Sequence, residues 1–125
     1  MPIDATQPYD PDNIFARILR NEVPADIVYE DGWAVAFRDI NPQAPTHLLV
    51  VPRGPYVSWD DFSERATDDE IAGFVRAVGA VAREHGYVLP GYRLLANIGQ
   101  HAGQEVGHLH VHLFAGQPLG PMLAR

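Results

Sequence analysis

The chain has 125 residues, of which 46% are hydrophobic, and a formal net charge of −7 with neutral histidines. A chain of this length forms one hydrophobic core, so we predict a single domain. The acidic balance argues against nucleic-acid binding, which needs clustered basic side chains. No apolar run approaches the roughly 20 residues that cross a bilayer. We therefore expect a cytoplasmic protein that binds neither nucleic acid nor a membrane.

The residue inventory excludes several kinds of catalytic site. The chain has no cysteine, and all nine of its Lys and Arg residues are arginine. Thiol nucleophiles, P-loop lysines and Schiff-base lysines are therefore excluded. The two serines, Ser58 and Ser63, do not lie in the G-x-S-x-G turn of an α/β-hydrolase. Histidine is thus the best nucleophile available at neutral pH.

In chain order, the first predicted elements follow a flexible lead-in at residues 1–10, and the domain spans 11–125. Asp10-Pro11 predicts the cap and first position of an amphipathic helix that Pro24 ends. Residues 27–37 predict a β-hairpin around an Asp-Gly turn, and residues 47–51 predict a mostly apolar strand.

The second half of the chain begins with a capping box, in which Thr67 is followed three residues later by Glu70. This pattern predicts a helix of about five turns that ends at Gly86. Residues 93–97 and 108–114 predict two further strands. Two helices and five strands in this order indicate an α+β domain with a mainly antiparallel sheet.

Three histidines, His108, His110 and His112, alternate with aliphatic residues. On a strand this spacing places all three imidazoles on one face, with neighbours roughly 6.6 Å apart. Zinc–nitrogen bonds are only about 2.0–2.1 Å long, so three ligands on one straight strand converge poorly on one ion, although two of them with His47 could. Covalent catalysis uses all three, because neighbouring groups can fix the tautomer of the central ring. We predict no metal and no cofactor.

The loop at residues 97–107, directly before the histidines, contains three glycines. Glycines let an anion approach the backbone N–H groups closely, and these dipoles can hold phosphate oxygens without any net positive charge. The loop therefore predicts an anionic substrate next to the histidines.

With these residues the sequence resembles the histidine triad (HIT) superfamily, whose signature alternates three histidines with apolar residues. Further segments resemble its Hint branch, especially the bacterial members: 12–18, 36–52, 102–106 and 118–123. The resemblance covers about residues 11–125. It implies a five-stranded antiparallel sheet with two helices, and a homodimer that joins two such sheets into a ten-stranded one.

The resemblance also implies a purine nucleoside phosphoramidase that needs no metal. His110 would attack the α-phosphorus of an adenosine or guanosine 5′-phosphoramidate, release the amine and be freed by water. His112 would contact the phosphate and leaving group, and His108 and His47 would complete the imidazole cluster. The implied nucleotide-binding residues are Asp39 for the ribose, Asn97, Gly103, Gln104, Glu105 and Val106 on the phosphate side, and Ile14, Phe15, Ile18, Phe37 and Ile40 around the base.

Three alternatives stay open at the level of sequence. They are a nucleotide-binding interaction dimer with incidental hydrolysis, a dinucleoside polyphosphate hydrolase, and a zinc protein using His47, His108 and His110. Histidine at position 112, where the transferase branch carries glutamine, favours hydrolysis over nucleotidyl transfer. Gly107 departs from the pattern, since relatives often have tyrosine or proline there.

Overall fold

The structure of the chain is a computed structural model, and it describes residues 2–124. The elements in chain order are α1 Ile14–Leu19, β1 Ile27–Glu30, β2 Ala34–Arg38, β3 Thr46–Pro52, α2 Trp59–Arg65, α3 Asp68–Glu84, β4 Arg93–Leu95 and β5 Val111–Ala115. The strands form one sheet in the order β1-β2-β3-β5-β4, and every neighbouring pair is antiparallel. The predicted five-stranded antiparallel sheet is confirmed. Within residues 2–124, no helix combines the length and apolar character needed to cross a membrane.

The long helix α3 matches its prediction. The Thr67 side chain accepts from Glu70 N–H, and the Glu70 side chain in turn accepts from Thr67 N–H, which completes the capping box. The helix ends at Glu84, and Gly86 has a positive φ of 77°. Glycine suits that position because it adopts the left-handed conformation without a Cβ clash.

The structure contains three helices, so the predicted number of two is wrong. The missed helix is α2, which begins after Ser58 with a capping box of its own, since Asp61 accepts from Ser58 N–H at 2.7 Å. It buries Phe62, which is 1% exposed, in the core beneath the sheet. The sequence does contain a capping-box pattern, Ser58 followed three residues later by Asp61, but the acidic residues around it are also typical of a solvent-exposed loop.

The bounds of α1 also differ from the prediction. Asp10 caps a turn, accepting from Asp12 N–H at 2.8 Å, and the helix cap is Asn13, whose Oδ1 accepts from Ala16 N–H at 2.9 Å. The helix ends before Pro24, because Asn21 adopts a left-handed φ of 61°. Asparagine tolerates that conformation better than most residues, so it terminates the helix first.

The sheet is buried on both faces, and this decides where the histidines lie. In β3, Leu48 and Val50 join the cluster that contains α3, whereas Leu49 and Val51 join the cluster that contains α1. Leu49 lies opposite His112 in β5. Side chains alternate between the faces of a strand, so His112 shares the α1 face with Leu49.

Strand β5 is shorter than predicted, because it begins at Val111 and leaves His108 and His110 outside the ladder. Leu109 N–H donates instead to Tyr56 O at 2.8 Å, and His108 is held by Pro52 O. Strand β4 is also shorter than predicted, because it ends at Leu95 and the prediction extended it to residue 97. The three histidines therefore do not form one straight row on a strand, and the first two lie where the chain leaves the loop.

Gly73, on the buried side of α3, makes room for Trp33. A Cβ at this position would overlap carbons of the Trp33 ring. We expect Gly73→Ala to lower the free energy of unfolding by about 2 kcal/mol, because overpacking outweighs the gain in helix propensity. The control is Gly79→Ala in the same helix, where the Cβ would meet only the flexible end of Arg83. Urea unfolding of both variants measures the difference, and equal midpoints would contradict the explanation.

Candidate active site

A cavity of about 290 Å³ lies beside the end of the glycine-containing loop. Its lining is mainly polar. Seven of the residues predicted for catalysis or nucleotide binding line it, namely Asp39, Asn97, Gly103, Gln104, Glu105, His110 and His112. Asn41 and Gln43 line it as well, although the sequence did not single them out. The cavity thus brings together residues that lie up to 73 positions apart in the chain.

His110 is 8% exposed, and its tautomer is fixed by the backbone. Its Nδ1 lies 2.8 Å from the carbonyl oxygen of His108. A carbonyl only accepts hydrogen bonds, so Nδ1 carries the proton. The neutral ring therefore has an unprotonated Nε2, which is the nitrogen that can attack an electrophile.

His108, which supplies that carbonyl, is completely buried. Its Nε2 lies 2.8 Å from Pro52 O, and its Nδ1 lies 2.6 Å from the hydroxyl oxygen of Tyr9. Since Pro52 O accepts, the His108 proton is on Nε2, and Nδ1 accepts from the tyrosine. Both ring nitrogens are engaged, so His108 is a structural support for His110.

A second chain of hydrogen bonds fixes the tautomer of His112. Gln43 N–H donates to His47 Nδ1 at 3.1 Å, which places the His47 proton on Nε2. That Nε2 lies 2.9 Å from His112 Nδ1 and 3.4 Å from Asp39 Oδ2. When His47 donates to His112 Nδ1, the neutral His112 carries its own proton on Nε2 and can donate it to a ligand.

Burial keeps these imidazoles uncharged. It lowers the pKa of His108 to about 4 and that of His112 to about 4. It also lowers the pKa of His110 and of His47, although the Asp39 carboxylate opposes the shift at His47. Neutral rings at pH 7 preserve both the lone pair of His110 and the tautomers derived above.

The loop beside the histidines is braced from within by Gln104, whose side chain is 1% exposed. Its Oε1 accepts from Gly99 N–H at 2.9 Å, and its Nε2 donates to Val57 O and Val106 O. These bonds use both amide protons, so the side chain shapes the loop. Within residues 2–124, the N–H groups of Glu105 and Val106 donate to no other residue, as an anion-binding backbone requires.

The five residues predicted to enclose the base divide into two groups. Phe15, Ile18 and Phe37 lie in the buried cluster under α1, and the Phe15 ring meets His110 edge-on at 5.0 Å. Ile14 and Ile40 are 41% and 92% exposed and lie outside that cluster. The structure therefore brings three of the five together in one cluster, and Phe15 is the member that contacts His110.

The zinc alternative named His47, His108 and His110, but a different group converges. Among residues 2–124, the one set of three donors within 4.8 Å of each other is Asp39, His47 and His112. His108 is excluded because both of its nitrogens are already hydrogen-bonded. The zinc set proposed from the sequence is therefore not assembled.

Three contributions to the site carry no clear sequence signal. Gln43 acts through its backbone N–H, which no side-chain pattern reveals. Phe114 stacks on His112 with an interplanar angle of 3° and packs on His47 at 4.3 Å, yet in sequence it is one more apolar residue after the histidines. Tyr9 lies in the segment predicted to be a flexible lead-in. That flexibility stays a prediction, but the segment contacts the site.

Known proteins resemble this chain over most of its length. The HIT domain family matches residues 20–119. An uncharacterized HIT-like protein of Azospirillum brasilense is 62% identical over 117 residues, which cover 94% of this chain and 96% of that protein. The purine nucleoside phosphoramidase of Escherichia coli is 47% identical over 114 residues, 90% of this chain and 94% of the enzyme.

Solved structures agree with these sequence matches. A histidine triad protein from Clostridium difficile superimposes with a TM-score of 0.81 at 38% identity, covering 91% of this chain and 98% of that one. A HIT family hydrolase from Clostridium thermocellum gives a TM-score of 0.78 at 34% identity, covering 90% and 97% of the two chains. With this fold and these matches, the chain is a member of the HIT domain family.

Proposed function

We propose that this HIT-family hydrolase cleaves purine nucleoside 5′-phosphoramidates through a nucleotidyl-histidine intermediate on His110, releasing AMP or GMP and an amine. The observation that carries the proposal is the 2.8 Å bond from His110 Nδ1–H to His108 O, which leaves Nε2 unprotonated. The 47% identity to a purine nucleoside phosphoramidase supports the substrate class. The proposal includes a cytoplasmic location, which suits a chain without cysteine.

In the first step, His110 Nε2 forms a bond to the α-phosphorus while the bond from phosphorus to nitrogen breaks. The leaving nitrogen takes up one proton from solvent and departs as the neutral amine, while His110, which keeps its Nδ1 proton, becomes a cationic nucleotidyl-imidazolium. The His108 carbonyl stabilises that cation through the Nδ1–H bond it already accepts. In the second step, water attacks phosphorus, the bond between phosphorus and His110 Nε2 breaks, and the water gives one proton to solvent, which restores the neutral ring and frees the nucleotide.

Dipoles would stabilise the developing charge on the phosphate, because neither lysine nor arginine is among the residues that line the cavity. The N–H groups of Glu105 and Val106 serve this role on the loop, and the Nε2–H of His112 serves it from the strand. Fixed donors of this kind stabilise a transition state because they need no reorientation when charge appears.

The nucleoside would lie between Asp39 and the apolar cluster under α1. The Asp39 carboxylate holds Asn41 N–H at 2.8 Å and has capacity left to accept from ribose hydroxyls. Phe15 and Phe37 pack edge-to-face at 5.4 Å, and Phe15 meets His110 edge-on; since they are only 7% and 4% exposed, they would form the buried floor of a purine-binding surface. Exposed Ile14 would contribute the outer wall of that surface.

Single-turnover mass spectrometry tests the proposal directly. Metal-stripped protein mixed with an adenosine 5′-phosphoramidate is expected to carry a transient AMP adduct that fragmentation maps to His110. The adduct decays to free AMP in the presence of chelator. Nucleotide binding without adduct or AMP would favour an interaction dimer, and faster turnover of dinucleoside polyphosphates would favour that substrate class.

We further propose that two copies of the chain join along β4 to form a ten-stranded sheet. Strand β4 is an edge strand and therefore has one side free for pairing. Beside it, an apolar groove of about 510 Å³ runs between α3 and β4, with Trp59, Val75, Leu94 and Ile98 among its partly exposed lining residues. An apolar face of this kind next to an open sheet edge fits a self-association surface.

A charge placed in that groove tests the dimer. We expect Val75→Arg to be monomeric at concentrations where the natural chain is dimeric, because the substitution buries an unpaired cation in the interface. The control is Val88→Arg, at a residue that is similarly exposed but outside the groove. Sedimentation equilibrium separates the outcomes, and a dimeric Val75→Arg variant would reject this interface.

A further inference from the structure

The segment at residues 3–9, here called the N-terminal strap, lies along the outside of the glycine-containing loop. Ile3 N–H donates to Gln104 O at 2.6 Å. The position of a Cβ on Gly107 would be 3.2 Å from Gln7 Nε2 and 3.7 Å from Ile3 Cδ1. Because Gly107 has no side chain, the strap can lie against the loop at the point where the loop leads into the histidines.

The strap ends on Tyr9, whose hydroxyl lies 2.6 Å from His108 Nδ1. The two rings meet edge-to-face with centroids 5.6 Å apart. Burial raises the pKa of Tyr9, so the phenol stays protonated at neutral pH and donates to the imidazole. Without that donor, Nδ1 of a completely buried ring would lack a partner.

We propose that the N-terminal strap completes the active site and that Tyr9 is a positioning residue for the nucleophile His110. Tyr9 donates a hydrogen bond to one ring nitrogen of His108, and Pro52 O accepts one from the other. The backbone carbonyl of His108 in turn accepts from Nδ1–H of His110. The phenol thus acts on His110 indirectly, through His108. The kinetic part of this inference rests on the proposed function.

Tyr9 does not line the cavity, so its influence differs from that of a substrate contact. Loss of its hydroxyl leaves His108 Nδ1 unpaired in a dry site, which favours rotation of the ring. Rotation would also break the bond from His108 Nε2–H to Pro52 O and so loosen the backbone carbonyl that orients His110. The effect is expected in the chemical step, with substrate binding preserved.

The test is Tyr9→Phe, which keeps the ring packing and removes only the hydroxyl. We expect kcat for an adenosine 5′-phosphoramidate to fall roughly tenfold, with KM within about twofold of the natural value. The control is Tyr87→Phe, because Tyr87 stacks on His85 away from the cavity. An unchanged kcat in Tyr9→Phe, with the natural chain active, would overturn the inference and leave the proposed function intact.

Nitrogen-15 NMR of the histidine side chains tests the same bond without turnover. The natural chain is expected to show His108 with a protonated Nε2 and an unprotonated Nδ1, and Tyr9→Phe to shift the Nδ1 resonance while Tyr87→Phe does not. If the natural chain were inactive on every phosphoramidate, this shift would still support the strap, and its absence would reject it.

Gly107→Val provides a second variant that leaves Tyr9 in place. Its side chain would displace Gln7 and Ile3 and so loosen the strap. We expect a loss of kcat similar to that of Tyr9→Phe, and no further loss when the two substitutions are combined. Fully additive losses would mean that the strap and Tyr9 act separately, which would overturn the inference.

Discussion

Replacing His110 with alanine is expected to reduce phosphoramidate hydrolysis at least a thousandfold. The substitution removes Nε2, the atom proposed to form the bond to phosphorus, and the His112 Nε2 that remains in the cavity carries a proton and is no nucleophile. Cysteine and lysine are absent, and neither serine lines the cavity. Removing a covalent nucleophile commonly costs about 10⁴–10⁶ in kcat, which sets the scale.

The measurement compares multiple-turnover rates of His110→Ala and His101→Ala with the natural chain. His101 lies in the same loop region but is exposed and outside the cavity lining, so its variant should keep full activity. Circular dichroism and calorimetric titration with AMP establish that His110→Ala is folded and still binds nucleotide. Activity above a tenth of the natural value in that variant would disprove the covalent mechanism.

The sheet was predictable because its strands and turns carry local signals. The pattern between turn residues is either an alternation of apolar and polar side chains or a continuous apolar run. This pattern occurs at residues 27–37 and 47–51, where the structure has β1, β2 and β3. Helix α2 was missed because its cap uses aspartate at the third helical position within an acidic run. Strand β5 was predicted too long, because the alternation of histidines continues after the backbone has left the ladder.

The site was predictable where side-chain chemistry repeats at a short spacing and not where backbone groups or distant segments contribute. The alternation from His108 to His112 points to a cluster of imidazoles in any fold. The spacing does not reveal that His47 reaches His112 across the β3–β5 ladder, or that Gln43 N–H sets the tautomer of His47. It also does not reveal Tyr9, because that contact spans 99 residues.

Acidification is expected to destabilise the folded chain through His108. Burial lowers the pKa of His108 to about 4, against 6.5 for an ordinary histidine. Above pH 6.5 the ring is neutral in both folded and unfolded chains, so it contributes no pH dependence. Between pH 6.5 and 4 the unfolded chain takes up a proton that the folded chain does not, and the free energy of unfolding falls by about 3 kcal/mol.

Urea unfolding at pH 7, 5.5 and 4 measures this loss, and His108→Gln isolates the contribution of the ring from that of the carboxylates. The glutamine amide can donate to Pro52 O and accept from Tyr9, as the imidazole does, but it does not titrate. We expect the variant to be less stable than the natural chain at pH 7 by no more than about 1 kcal/mol. The difference in the free energy of unfolding should disappear or reverse at pH 4, because only the natural chain is destabilised by keeping a buried imidazole neutral at that pH. Parallel stability curves for the two proteins would show that the His108 ring exchanges protons equally in the folded and unfolded states, and would refute the neutral His108 ring in the folded chain.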